Sequence, residues 1–246
     1  MSKQEETPGR AAGSGFAATR WTLVLAAGRR PSPKAADAMS ELCRLYWYPL
    51  YAYVRRRGHG AQDAEDLTQE FFARVLAKDY LASVDRSKGK FRSFLLASLK
   101  HFLANEWDRS HAQKRGGGQV ILPLDGASAE TRYGLEPAHD VTPEKLFERQ
   151  WAITVLEQVM VRLKREFVAG EKADIFDVLK PFLAGDETSA TYAQVAAKLG
   201  MTEGAVKVAV HRMRRRYRGL LREEIAQTVA TPEEIADEIR CLLRCL

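Results

Sequence analysis

Seven lysine or arginine side chains and a single acid lie between positions 203 and 222 of this 246-residue chain. Lys207, Arg212, Arg214, Arg215, Arg216, Arg218 and Arg222 make up that block. Guanidinium forks at this density match phosphate oxygens, so the chemistry on offer is binding a polyanion. A second block, positions 86–115, holds eight basic residues and two acids. Each block carries +6, equal to the net charge of the whole chain, so everything outside them sums to −6. Two separate cationic patches point to nucleic acid more strongly than a uniform excess would.

Other chemistries find no support in the residue types. Cys241 and Cys245 share a helix face, but no further Cys or His lies near them in sequence to complete a metal site. The five histidines form no HExxH pair, and the chain has no GxxxxGK[ST] phosphate loop and no GxSxG elbow. No catalytic site, metal or cofactor is therefore expected, and the protein is read as a non-enzyme. Three cysteines in all fit a reducing cytosol, and buried thiols are the expectation for Cys241 and Cys245. No apolar run approaches the roughly 18 residues of a membrane span. The stretch MSKQEETPGRAAGSG lacks the apolar core of a signal peptide, so a cytoplasmic protein with a disordered tail over residues 1–18 is expected.

The elements that must position the arginines are helices, because the apolar spacing is helical nearly throughout. In TYAQVAAKLGMTEGAVKVAVHRMRRRY, Val195, Ala196 and Leu199 form an inward face. Gly200 then supplies the left-handed residue that ends the helix. Thr202 caps a second helix, in which Val206, Val210, Met213 and Tyr217 form a buried seam. The pattern is a helix-turn-helix. Its second helix turns Thr202, Glu203, Lys207, Val208, His211 and Arg212 outward, where the first few can reach base edges in a major groove. Arg214, Arg215, Arg216 and Arg218 follow and suit phosphates.

The remaining pattern predicts an all-α fold of two small helical domains on a flexible linker. A short helix is expected at 19–27, then a long one at 35–57 with Met39, Leu42, Leu45 and Tyr46 on one side and a bend at Pro49. A third spans 63–77 and a fourth begins at Phe91, completing a first domain over 19–110. Residues 111–142, rich in Gly and Pro and without a period, read as the linker. Thr142 as N-cap and Pro143 at N1 open the second domain, 143–224. The extension 225–246 contains TPEEIADEIRCLLRCL, with Thr231 and Glu234 at capping-box spacing.

Taken together these segments resemble a bacterial RNA polymerase sigma factor of the extracytoplasmic-function type. TYAQVAAKLGMTEGAVKVAVHRMRRRYRGLL is similar to region 4 of that family, which reads the −35 promoter element. DAEDLTQEFFARVL resembles the region 2 segment that binds the polymerase clamp, and FRSFLLASLKHFLANEWDRSHAQKR the helix that engages the −10 element. The resemblance implies two partners, core RNA polymerase and promoter DNA, and leaves room for an anti-sigma factor or another regulator; no membrane is implied. It assigns clamp contact to Asp63, Glu65, Asp66, Gln69 and Glu70. It assigns capture of a flipped base to the loop 82–90. Arg86, Lys88, Lys90, Arg92, Lys100 and Arg109 would supply the charge along that strand, with Trp107 as a stacking candidate. Phe91, Leu95, Leu99 and Phe102 form one stripe and are expected in the core. In region 4 the DNA contacts would be Thr202, Glu203, Lys207, Val208, His211, Arg212 and Arg215. The family has Asn and Asp where this chain has His101 and Asn105, so no promoter sequence carries over. The family's Leu-Pro and following Arg are absent before the helix-turn-helix. The competing reading is a stand-alone helix-turn-helix regulator that binds operator DNA as a dimer.

Overall fold

A computed structural model describes residues 33–76, 90–112, 126–136, 141–183, 191–229 and 231–246. The expected tail, the helix at 19–27 and most of the loop 82–90 lie outside them. Every regular element among the described residues is helical, as the sequence predicts.

Helix α1 spans Pro33–Arg56 and carries Pro49 within it. Helix α2 is Ala61–Leu76, α3 is Phe91–Ala112, and α4 is Gly126–Gly134. Helix α5, Pro143–Ala169, is the longest at 27 residues. It starts as its sequence dictates, with Thr142 accepting a hydrogen bond from the Lys145 amide and Pro143 in the first turn. A short helix α6, Ala173–Leu179, runs into a 3₁₀ turn, Lys180–Leu183. Helices α7, Tyr192–Leu199, and α8, Glu203–Ala226, follow, and α9, Glu234–Arg244, closes the chain.

The core does not divide into two. Helix α1 packs mainly against α5, and α5 also packs against α8, α6 and α9. Leu45, Tyr46, Tyr51 and Val54 of α1 are buried with Phe147, Trp151 and Val155 of α5. Further along α5, Val159 and Leu163 join Val210, Met213 and Leu220 of α8 in the same cluster. The sequence predicts separate domains because the Gly- and Pro-rich span 111–142 has no period of its own. The stripe of α5 is long enough to serve both. The expected face Phe91, Leu95, Leu99 and Phe102 is buried throughout.

The span expected as linker contains α4, whose formation is tertiary in origin. GASAETRYG has little helical drive of its own. Arg55 of α1 holds Glu130 with both Nε and Nη2, at 2.9 and 2.7 Å, and the Tyr51 hydroxyl donates to the same carboxylate at 2.5 Å. These bonds hold the Glu130 carboxyl below the ordinary glutamate range, the Arg55 hydrogen bonds contributing most. On the other side of the helix, the Arg132 guanidinium sits over the Tyr48 ring at 4.1 Å.

Helices α7 and α8 are joined by a three-residue turn. Thr191 and Gln194 form a reciprocal capping box at the start of α7. Gly200 ends α7 at φ 63°, ψ 32°, and the Met201 amide donates to the Ala196 carbonyl at 2.9 Å. No heavy atom lies within 4 Å of a Cβ built on Gly200, so the position is roomy and only its backbone is demanding. Gly200→Ala should therefore cost about 1–2 kcal/mol, the penalty of a left-handed residue with a side chain, read as a lowered thermal midpoint.

Candidate nucleic-acid interface

The turn aims α8. The Thr202 hydroxyl accepts from the Ala205 amide at 3.2 Å, and Val206, Val210 and Met213 are buried beneath, with Tyr217 half-buried. The opposite face is left to solvent. Thr202, Glu203, Lys207, Val208, His211, Arg212 and Arg215 are all exposed. Arg212 and Arg215 form no ion pair with any described residue, and the Lys207 ammonium sits 5.6 Å from the Tyr192 ring centroid. Exposed cations without an internal carboxylate remain available to an external anion.

The other arginines of the block have different work. Arg214 donates to the Phe182 carbonyl from Nε and Nη2, at 3.0 and 2.6 Å, tying α8 to the 3₁₀ turn. Arg216 makes a fork onto Glu166 at 2.7 and 2.6 Å and reaches Glu223 at 3.0 Å. Those two acids raise its pKa, Glu166 first. Their place in the basic run suits phosphate, and neither the Phe182 carbonyl nor Glu166, which occupy them instead, is near α8 in sequence. Arg218 is exposed and donates to the Arg214 carbonyl, at 3.4 Å.

In the first half the expected strand-tracking residues are differently placed. Arg86 and Lys88 lie outside the described residues, as does the side chain of Arg109. Lys90 precedes α3, and its ammonium lies 2.5 Å from Glu238 of α9. Arg92 is only 5% exposed. It donates to Glu238 from Nε at 2.7 Å and from Nη2 at 3.3 Å, and to Glu148 from Nη1 at 2.9 Å. Its guanidinium lies 4.8 Å from the Trp151 ring centroid. Burial opposes the charge of Arg92, but the hydrogen bonds and charge of Glu238, joined by Glu148, hold its pKa above the ordinary arginine value. The Lys100 ammonium is 2.7 Å from Glu144, whose hydrogen bond raises the lysine pKa. Trp107 is 63% exposed near the far end of α3.

Sequence reading missed Glu238, though a signal was present. Ile235, Glu238 and Leu242 share one face of α9, and all three are buried. An acid on an apolar face demands a cationic partner. The two cysteines of that helix, Cys241 and Cys245, are half-buried rather than buried as expected; Cys43 alone is buried, and burial pushes its thiol up to about 12.

The expected clamp residues all lie along α2. Asp63, Asp66 and Glu70 are exposed; Glu65 and Gln69 are half-buried. Gln69 donates to Glu65 and Gln62 to Asp66, each at 3.2 Å. Arg74 bridges Glu70 at 2.5 Å and Glu106 of α3 at 2.6 Å, with its guanidinium 4.7 Å from the Phe102 ring centroid. That bridge fixes α2 on α3 while Asp63 and Asp66 face solvent. No described helix is long and apolar enough to cross a membrane.

Comparison with known proteins meets this geometry over the same helices. The sigma-70 region 2 family profile matches residues 44–112, from within α1 to the end of α3. The chain is 26% identical over 195 residues to the ECF RNA polymerase sigma factor SigE of Mycolicibacterium smegmatis. That alignment covers 79% of this chain, and the chain spans 65% of the relative's length. No solved structure gives a significant match. Residues 44–112 thus match the sigma-70 region 2 family, and over most of its length the chain is similar to an RNA polymerase sigma factor of the extracytoplasmic-function type.

Proposed function

We propose that the protein binds core RNA polymerase and directs promoter recognition and transcription initiation in the cytoplasm, without catalysis of its own. The observation that carries this reading is the open cationic row Lys207, Arg212 and Arg215 on α8, with His211 exposed among them, in a chain whose residues 44–112 match sigma-70 region 2. In this reading residues 19–110 form the polymerase-binding and −10 module and residues 143–224 the −35 module, with 111–142 between them and 225–246 as an extension. Helix α8 enters a major groove by its first turns, and its later arginines hold the backbone. Asp63, Asp66 and Glu70, with Glu65 and Gln69 beside them, oppose a basic surface of the polymerase clamp. Strand opening follows from capturing unstacked bases, at a cost of a few kcal/mol per base extruded. Hydrolysis of a nucleotide has no place in it. An anti-sigma factor or another regulator is a further partner of the type.

Run-off transcription with purified core polymerase and a promoter library tests the reading. Initiation should depend on this protein and require only the transcription substrates. Core polymerase that neither binds the protein nor initiates with it would refute the assignment. Within α8, Lys207→Ala should change sequence preference at the −35 element. Arg215→Ala should weaken all sequences alike and lower the salt slope by about one unit. Identical behaviour of the two variants would end the division into readers and anchors.

A further inference from the structure

The two cationic surfaces are in unequal states. Lys207, His211, Arg212 and Arg215 are exposed on α8. Lys90, Arg92 and Lys100 all face carboxylates of the C-terminal half: Glu144 and Glu148 from α5 and Glu238 from α9. Glu238 offers one oxygen to Arg92 Nε and the other to Arg92 Nη2 and Lys90 Nζ. A phosphate presents its oxygens to guanidinium and ammonium groups in the same forked way. Glu238 is itself 1% exposed, so nothing else can reach those cations from its side while α9 is seated.

We infer that α9 is an intramolecular competitor for the nucleic-acid backbone. Glu238 occupies a phosphate position on Lys90 and Arg92, and DNA engages the first half only after α9 leaves. This rests on the proposed promoter reading, in which Lys90 and Arg92 track a DNA strand. The seating of α9 suits a removable element. It is eleven residues long, held by Ile235 and Leu242 against the core and packed on α8 and α5. A helix of that length is marginal alone in water, so the released segment unfolds and its amides exchange.

The test uses the full chain carrying Arg212→Gln and Arg215→Gln, two exposed changes that keep the open α8 face from dominating. The probe is a fluorescein-labelled single-stranded oligonucleotide. Adding Glu238→Gln, which keeps shape and a hydrogen-bond acceptor, should tighten binding about tenfold. It should also steepen the salt dependence by about 1.4 units, two phosphate contacts on a single strand. Further addition of Lys90→Gln should remove one of those two contacts, about 0.7 units of the slope. Unchanged affinity and slope in the Glu238→Gln protein overturn the competitor role. If that same chain without the α8 changes still drives polymerase-dependent initiation, the proposed function survives the loss. Amide exchange on the parent protein guards against a misfolded variant. Residues 234–244 should lose protection when the oligonucleotide saturates, while α1 keeps its own. Protection of 234–244 that stays constant at saturation overturns the inference irrespective of any variant.

Discussion

Trp151→Ala should destabilise the protein by about 3–5 kcal/mol, the usual cost of emptying a fully buried aromatic site. Trp151 is 0% exposed and lies on α5, the helix that packs against both α1 and α8. Its ring also forms the floor under the Arg92 guanidinium, 4.8 Å from the centroid. Truncation therefore removes packing from the α1–α5 seam and the cation–π contact at the same stroke. Urea denaturation followed by far-ultraviolet circular dichroism reads the loss. Because one core runs through both halves, unfolding should remain a single transition whose midpoint falls as a whole. Two separable transitions, only one of them moved by the substitution, would contradict a shared core.

Arg92→Ala should cost a similar amount, about 3–5 kcal/mol, because it strands Glu238 in the interior. The argument turns on burial: Arg92 and Glu238 are both almost fully enclosed, and 146 residues separate them in the chain. The remaining partner, Lys90, is more exposed and holds Glu238 by one ammonium alone. Replacing the pair together, Arg92→Met with Glu238→Met, should recover much of the loss, since an apolar pair needs no compensating charge. A double-mutant cycle on the same denaturation curves gives the coupling. A loss below about 1 kcal/mol for Arg92→Ala would mean the pair behaves like an exposed one, and α9 would not be seated as described.

What the sequence disclosed and what it hid divide along chain distance. Thr142, Gly200 and Thr202 act on the turn beside them, so their roles are written in neighbouring residues and stand where their types require, whereas the expected cap at Thr231 gives way to Glu233, which makes no side-chain cap hydrogen bond. The stripe of Phe91, Leu95, Leu99 and Phe102 is also local, and burial follows from its spacing. Arg92 is the opposite case. It stands in a run of basic residues that reads as a surface facing phosphate, and nothing within that run indicates Glu148 or Glu238. Arg216 and Arg214 were opaque for the same reason, since Glu166 and the Phe182 carbonyl come from α5 and the 3₁₀ turn. Helix α4 was read as linker because its drive comes from Arg55 and Tyr51, not from its own residues. The helices of residues 44–112 were legible through DAEDLTQEFF and the basic stretch after it, and the matched span contains the first and most of the second.

Helix α5 is unbroken over 27 residues, about 40 Å at 1.5 Å per residue. A rod of that kind acts as a strut. Tension applied where α5 meets α8 reaches the aromatic seam with α1 at the other end, with no loop between to absorb it. Parting the halves is then a switch that snaps, set by one threshold, and gradual stretching is denied to the molecule.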